Sequence, residues 1–239
     1  MTTRSWVQEP SERPTFAALL EEIRPALERA NVKAEAPLVF LSYRVASDAA
    51  LVEVLHDKLT MRGVRVWWDR KCLLPGQPWE EGFADGLFAS SVFVPVLSKA
   101  GLKKFGELTA GSWCDNVLLE HRMALELKHR GALELIYPIM VGEVQPLGTL
   151  GDGYGNFFAD GAKPTCPRVA VQAVEDKLAE HLRRGGKGSA QTAPQTVCGV
   201  LDEVLAHQGV ALSGARHDAV EHVVDEVVKM MSKVNRSRG

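Results

Sequence analysis

From Leu38 to Val141 the chain alternates short apolar runs with amphipathic stretches, and that rhythm admits few folds. Strands separated by helical crossovers pair in parallel, so the pattern predicts βαβ units and an open α/β sheet. Leu38–Arg44 reads as a buried first strand. Ser47 or Asp48 then caps a helix with Leu51, Val54, Leu55 and Leu59 on its apolar face, and Gly63 stops it. Val64–Asp69 is a second strand, followed by a polar loop, Arg70 to Pro78, that carries two prolines. Trp79 to Ala89 forms the next helix, and Ser91 to Ser98 the third strand. Pro95 removes a ladder donor, which predicts a strand end or a bulge at that point. Leu133 to Val141 is the fourth strand. Ligands of such sheets bind beyond the carboxyl ends of the strands, where Tyr43, Arg44, Asp69 and Ser98 fall.

Between the third and fourth strands lies the helix that says most about chemistry. Read at about 100° per residue, Trp113 to Leu127 stacks Trp113, Val117, Ala124 and Leu127 on one stripe with Glu120 in its middle. Arg122, Leu125 and Glu126 point elsewhere on that wheel. A carboxylate among apolar neighbours loses hydration and needs a partner or a purpose. The plain alternative is a rim glutamate that reaches water. Trp67, Trp68 and Trp113 read as core tryptophans, and Arg44 is open to either a ligand or a surface ion pair.

Composition narrows the classes. With 239 residues, 46% of them hydrophobic, and a net charge of -2, the chain can bury one good core and offers no electrostatic case for nucleic acid. Its four cysteines are far apart without a CxxC pair, so neither a zinc site nor a disulfide framework is indicated, and with His207, His217 and His222 ungrouped no metal site is expected. No stretch approaches transmembrane length, and the N-terminus lacks the apolar run of a signal peptide, so a cytoplasmic protein is expected. Gly151–Gly155 lacks the strand-then-helix context of a phosphate loop.

Val39–Arg44, Asp69 opening a loop with Leu74-Pro75-Gly76, Trp79-Glu80, Val94–Ser98 and Trp113–Leu127 together resemble a TIR domain in order and spacing, over residues 37–182. The resemblance implies a flavodoxin-like open parallel sheet flanked by helices, here with extra C-terminal helices. TIR domains are either assembly modules that bind one another or enzymes that cleave the nicotinamide–ribose bond of NAD+. In the enzymatic class the essential residue is a glutamate on the helix after the third strand, and Glu120 stands there, followed by Ala124 and Leu125. Glu120 is thereby implied as catalytic and expected to stay ionised, although apolar surroundings push its pKa upward. Trp79 matches an aromatic flanking the nicotinamide pocket, where an indole face attracts a cationic ring. Tyr43, Arg44 and Asp69 are the other implied substrate contacts. NAD+ enters as substrate, no cofactor is needed, and other TIR domains are the implied partners through the loop Arg70 to Pro78. That loop and the long polar segment Lys99 to Ser112 depart from some relatives.

The flanks add two expectations. Residues 1–32, with Trp6, Glu9-Pro10 and Arg13-Pro14-Thr15-Phe16, resemble the C-terminal end of a protein kinase domain, without its catalytic motifs. Residues 183–195 read as a flexible linker and 196–239 as a helical C-terminal extension, with helices over Val197–His207 and Ala219–Val234. Three functions stay open: an NAD+ glycohydrolase or cyclase in signalling, a TIR module acting by self-association, and a domain that binds NAD+ without cleaving it.

Overall fold

The computed structural model describes residues 38–72, 79–142, 165–188, 192–212 and 216–238. The kinase-like segment, the loop 73–78 and Gly151–Gly155 lie outside them. The first strand, β1 (Leu38–Ser42), is followed by α1 (Val45–Met61), β2 (Arg65–Trp67), the short α2 (Asp69–Cys72) and α3 (Trp79–Phe88). Next come β3 (Val92–Leu97), α4 (Lys99–Gly106), α5 (Asn116–His129), β4 (Leu135–Ile136) and β5 (Ile139–Val141). The chain continues through α6 (Gln172–Arg184), α7 (Val197–Ala206), β6 (Val210–Leu212) and α8 (Arg216–Arg238). The strands lie in the order β2-β1-β3-β5-β6, with β4 also on β3, and every pairing is parallel. This is the expected open α/β sheet with helices on both faces.

Period-two alternation along β1 assigns the two faces. Phe40 belongs to an apolar layer with Trp67, Phe83, Phe93 and the inner sides of α3, α5, α6 and α7. Val39, Leu41 and Tyr43 belong to the opposite layer with Trp68, α1, β6 and α8. The core reading of Trp67 and Trp68 is met on opposite faces of one sheet. Trp67 stacks on Phe40 at 4.4 Å.

Three local expectations need correction. The helix α1 starts at Val45, so neither Ser47 nor Asp48 caps it; Arg44 holds the N-cap position without a side-chain cap bond, while Gly63 follows at φ +80° as expected. Pro95 lies inside β3 rather than at its end. Its missing N–H is tolerated because it faces Ser42, the last residue of β1, on one side and the gap between β4 and β5 on the other. The fourth strand is broken at Tyr137-Pro138, where proline cannot donate to the ladder. The long polar segment that follows Ser98 holds a helix the sequence reading did not assign: Ser98 caps α4, whose Leu102 and Phe105 are buried.

The helices expected beyond the linker are present as α7 and α8, but they are not appended to a finished sheet. Between them β6, which shows no strand signal in three residues, pairs with β5. Gly209 permits this approach, because a Cβ there would come 2.1 Å from the Pro138 carbonyl oxygen that accepts from Val210 N. Val200, Leu201 and Val204 of α7 fill one layer, and Val220, Val223, Val224 and Val227 of α8 fill the other. The end of the linker is fixed too: Thr192 and Ala193 donate their backbone N–H groups to Glu126.

Candidate active site

The carboxyl end of β1 organises the site. Its last residue and the two that follow each hold one carboxylate from another element. Ser42 Oγ donates to Glu120 Oε2 at 2.6 Å. Tyr43 donates its hydroxyl to Asp69 Oδ1 at 2.8 Å, and accepts from Trp68 Nε1 at 3.0 Å. Arg44 makes a bidentate pair with Asp115, at 2.9 and 3.0 Å. Alternation explains the arrangement: Ser42 follows Phe40 toward α5, and Tyr43 follows Leu41 toward Trp68.

Asp115 does two things at once. It is the N-cap of α5, accepting from Leu118 N at 3.0 Å, and it anchors that helix to Arg44. The helix therefore begins at Asn116, three residues later than its apolar stripe suggests, and Trp113 falls outside it. Trp113 is 93% exposed, which overturns its core reading. From the N-cap, Glu120 lies about 7.5 Å along the helix axis, close to the end of β1 through Ser42.

Glu120 is half-buried, and its second oxygen makes no hydrogen bond among the described residues. Burial pushes its pKa up to about 8. Ser42 and Arg44 oppose the shift, whereas the nearby charges of Asp69 and Asp115 reinforce it. The upward direction is as expected, and it favours the protonated carboxyl more than the sequence reading allowed. Desolvation outweighs Arg44, which is already committed to Asp115. The adjacent His121 is fully buried edge-on between Phe93 and Phe105, and burial pushes its pKa down to about 3. It stays neutral and adds no charge to the site.

The structure thus brings Tyr43, Arg44, Asp69 and Glu120 to one edge, but with their groups used on protein partners. Tyr43 is buried, and burial together with Asp69 pushes its phenol up to about 12. Arg44 turns out to be an ion-pair residue, though a partly buried one that positions a helix. Trp79 opens α3, and its side chain lies outside the described residues. Ser42 and Asp115 were not singled out from sequence. The usable signal was the alternation of β1 carried one residue beyond Leu41.

The side of α5 that carries Arg122 and Glu126 is charged and buried. Arg122 and Glu126 are both 0% exposed. Arg122 pairs with Glu175 of α6 through two bonds of 2.7 Å, and Glu126 receives Arg130, Thr192 and Ala193. Among the described residues no group of three or more His, Cys, Asp or Glu is placed to hold a metal ion, and no helix is long and apolar enough to cross a membrane.

Residues 39–164 match the TIR domain family. The chain belongs to the TIR domain family. Among solved structures, this TIR chain is similar to one described as "Structure of the activated Roq1 resistosome directly recognizing the pathogen effector XopQ (TIR domains)". Identity is 18%, the TM-score is 0.42, and the match covers 81% of this chain and 98% of that one. No curated protein matches the chain. The strand β6 and the helices α6 to α8 lie beyond the residues that match the family.

Proposed function

We propose that this TIR domain cleaves the nicotinamide–ribose bond of NAD+, with Glu120 as the catalytic carboxylate. The observation that carries this reading is Glu120 itself: a crowded carboxyl at the carboxyl edge of a parallel sheet, one oxygen held by Ser42, its pKa far from the ordinary range. Glu126 and Glu175 are each held by charged or multiple donors, whereas Glu120 is held by one hydroxyl among the described residues.

The chemistry suits a single acid group. The C1′–N1 bond breaks with its electron pair leaving on nicotinamide, which neutralises the ring cation and makes it a good leaving group. The oxocarbenium-like ribosyl centre left behind is stabilised by a nearby carboxylate, and water adds to C1′ and loses a proton to solvent. The cationic ring also resolves the raised pKa, since an opposite charge nearby favours the ionised carboxylate. Substrate binding then discharges the proton that the empty site retains. Trp79, at the start of α3, supplies the aromatic face for the ring in this reading. A cyclic product arises if a hydroxyl or ring nitrogen of the substrate replaces water.

The test is incubation of the purified chain with NAD+, following nicotinamide and ADP-ribose or its cyclic form by chromatography. Glu120→Gln, which keeps the shape and loses the charge, should lower kcat by at least about 100-fold. The wild-type kcat/KM should rise with pH toward a half-maximum near 8, the value of the empty enzyme. Equal turnover by Glu120→Gln refutes the role of Glu120.

A second function, a TIR module acting by self-association, is favoured by one observation, the exposed indole of Trp113, two residues before Asp115 in the chain. Concentration-dependent sedimentation that Trp113→Ser abolishes would support it, with or without turnover.

A further inference from the structure

The charged groups around Glu120 are all engaged elsewhere, which leaves a neutral hydroxyl as its only hydrogen-bond donor among the described residues. We propose that Ser42 is a positioning residue of this site: its hydroxyl pins one carboxylate oxygen of Glu120 so that the other faces the ribose of a bound dinucleotide. This deepens the NAD+ reading of Glu120 and rests on it.

The geometry makes Ser42 a fixed point. It is 1% exposed, it closes a strand whose neighbours on both sides are parallel, and its Cα is in register with Pro95. A serine side chain has one torsion to set, and here the pleat already directs it toward α5. Glu120, by contrast, has several rotatable bonds and would sample many poses if both oxygens were free. The 2.6 Å bond removes that freedom, and it is at the short end expected of a hydroxyl donating to a carboxylate. The helix is pinned independently, because Asp115 at its N-cap is gripped by Arg44, two residues after Ser42. Helix and side chain are thus both referenced to the end of β1. A reacting group must be held within a fraction of an ångström for such a site to work, and this double attachment provides that.

The effect of Ser42 on Glu120 can be read without turnover. A donor to the ionised form favours that form, so removing it should raise the Glu120 titration midpoint by about one pH unit. The experiment is carboxyl 13C NMR of glutamate-labelled chain, for wild type, Ser42→Ala and Ser42→Thr, with melting temperatures measured alongside. The Thr variant keeps the hydroxyl and should return the midpoint toward wild type. With NAD+, Ser42→Ala should lower kcat about tenfold at neutral pH while KM changes less, and its pH profile should move upward in parallel with the NMR midpoint. If Ser42→Ala does not fold, Ser42→Cys, with a weaker donor of similar size, takes its place. An unchanged Glu120 midpoint and an unshifted pH profile in a folded variant would reduce Ser42 to packing and overturn the proposal. If wild type releases no nicotinamide but the midpoint still moves with Ser42, the positioning contact stands and the NAD+ reading fails by itself.

Discussion

Two glutamates six residues apart on α5 meet opposite fates. Glu126 is surrounded by donors: the N–H groups of Thr192 and Ala193, the Thr192 hydroxyl and the guanidinium of Arg130. Burial works to raise its pKa, but these bonds overcome it and the net shift is downward. Glu120 has one hydroxyl, two carboxylates for neighbours and an arginine that is spoken for, and its pKa rises. Burial is common to both. The difference lies in the supply of donors, and it separates a carboxylate that holds the fold together from one left poised for a ligand.

The largest way to break this contrast is at Glu126. Glu126→Ala leaves two buried N–H groups unpaired and takes a counter-charge from Arg130 and Arg122. Removing one partner of such a network typically costs about 3–5 kcal/mol, or roughly 6–20 °C in melting temperature for a domain of this size. Glu120→Ala breaks a single hydroxyl contact and should leave the melting temperature within a few degrees while removing activity. Thermal unfolding of both variants checks the pair. A similar loss at both sites would mean that Glu120 is structural as well.

A subtler effect is in the sign of the pH dependence. For Glu120 the native pKa lies above the unfolded one, so between about 4.5 and about 8 the native state holds a proton that the unfolded chain has released. Its contribution is fully present below the unfolded pKa and is lost as pH rises through that window. Glu120→Gln imitates the protonated form, so it should match wild type near pH 4.5 and become the more stable of the two by pH 8. For Glu126 the native pKa is depressed, so its contribution is present above the unfolded value and is lost as pH falls through the native one. Glu126→Gln should therefore cost most at neutral pH and progressively less toward acid. Relative to wild type, the melting curve should separate toward alkaline pH for Glu120→Gln and converge toward acid for Glu126→Gln. Parallel curves at both sites would show that neither pKa is displaced.

How far this contrast could be read from sequence differs along the chain. The parallel sheet was legible because β1 and β3 are apolar runs and helical stretches separate the strands. Glu120 was legible because it interrupts an apolar stripe and stands where the TIR resemblance puts a glutamate. The wheel placed Arg122 and Glu126 off the Glu120 stripe but could not say what they meet, because their partners come from α6 and from residues 192–193, far along the chain. The strand β6 was not legible at all. Three residues carry no period, and only the break at Pro138 and the glycine at 209 reveal why a strand fits there. Arg44 was left between ligand and ion pair because the position of its partner depends on where α5 begins, and Asp115 as cap is a tertiary fact.

The smallest expected effect sharpens the same lesson at Trp113. On the wheel it sits with Val117 and Ala124, and a core tryptophan replaced by a small residue would cost about 3–5 kcal/mol. In the structure the helix starts after Asp115, the indole leaves the stripe, and nearly all of its surface faces solvent. Trp113→Ser should then change stability by less than about 0.5 kcal/mol, which amounts to less than roughly 2 °C. Arg44→Ala is the matched control, since Arg44 grips Asp115, two residues after Trp113: it removes both bonds to the cap of α5, and the chain should feel it even though Arg44 is the more exposed partner. If Trp113→Ser were the more damaging of the two, the helix would begin at Trp113, and Glu120 would be displaced from the end of β1.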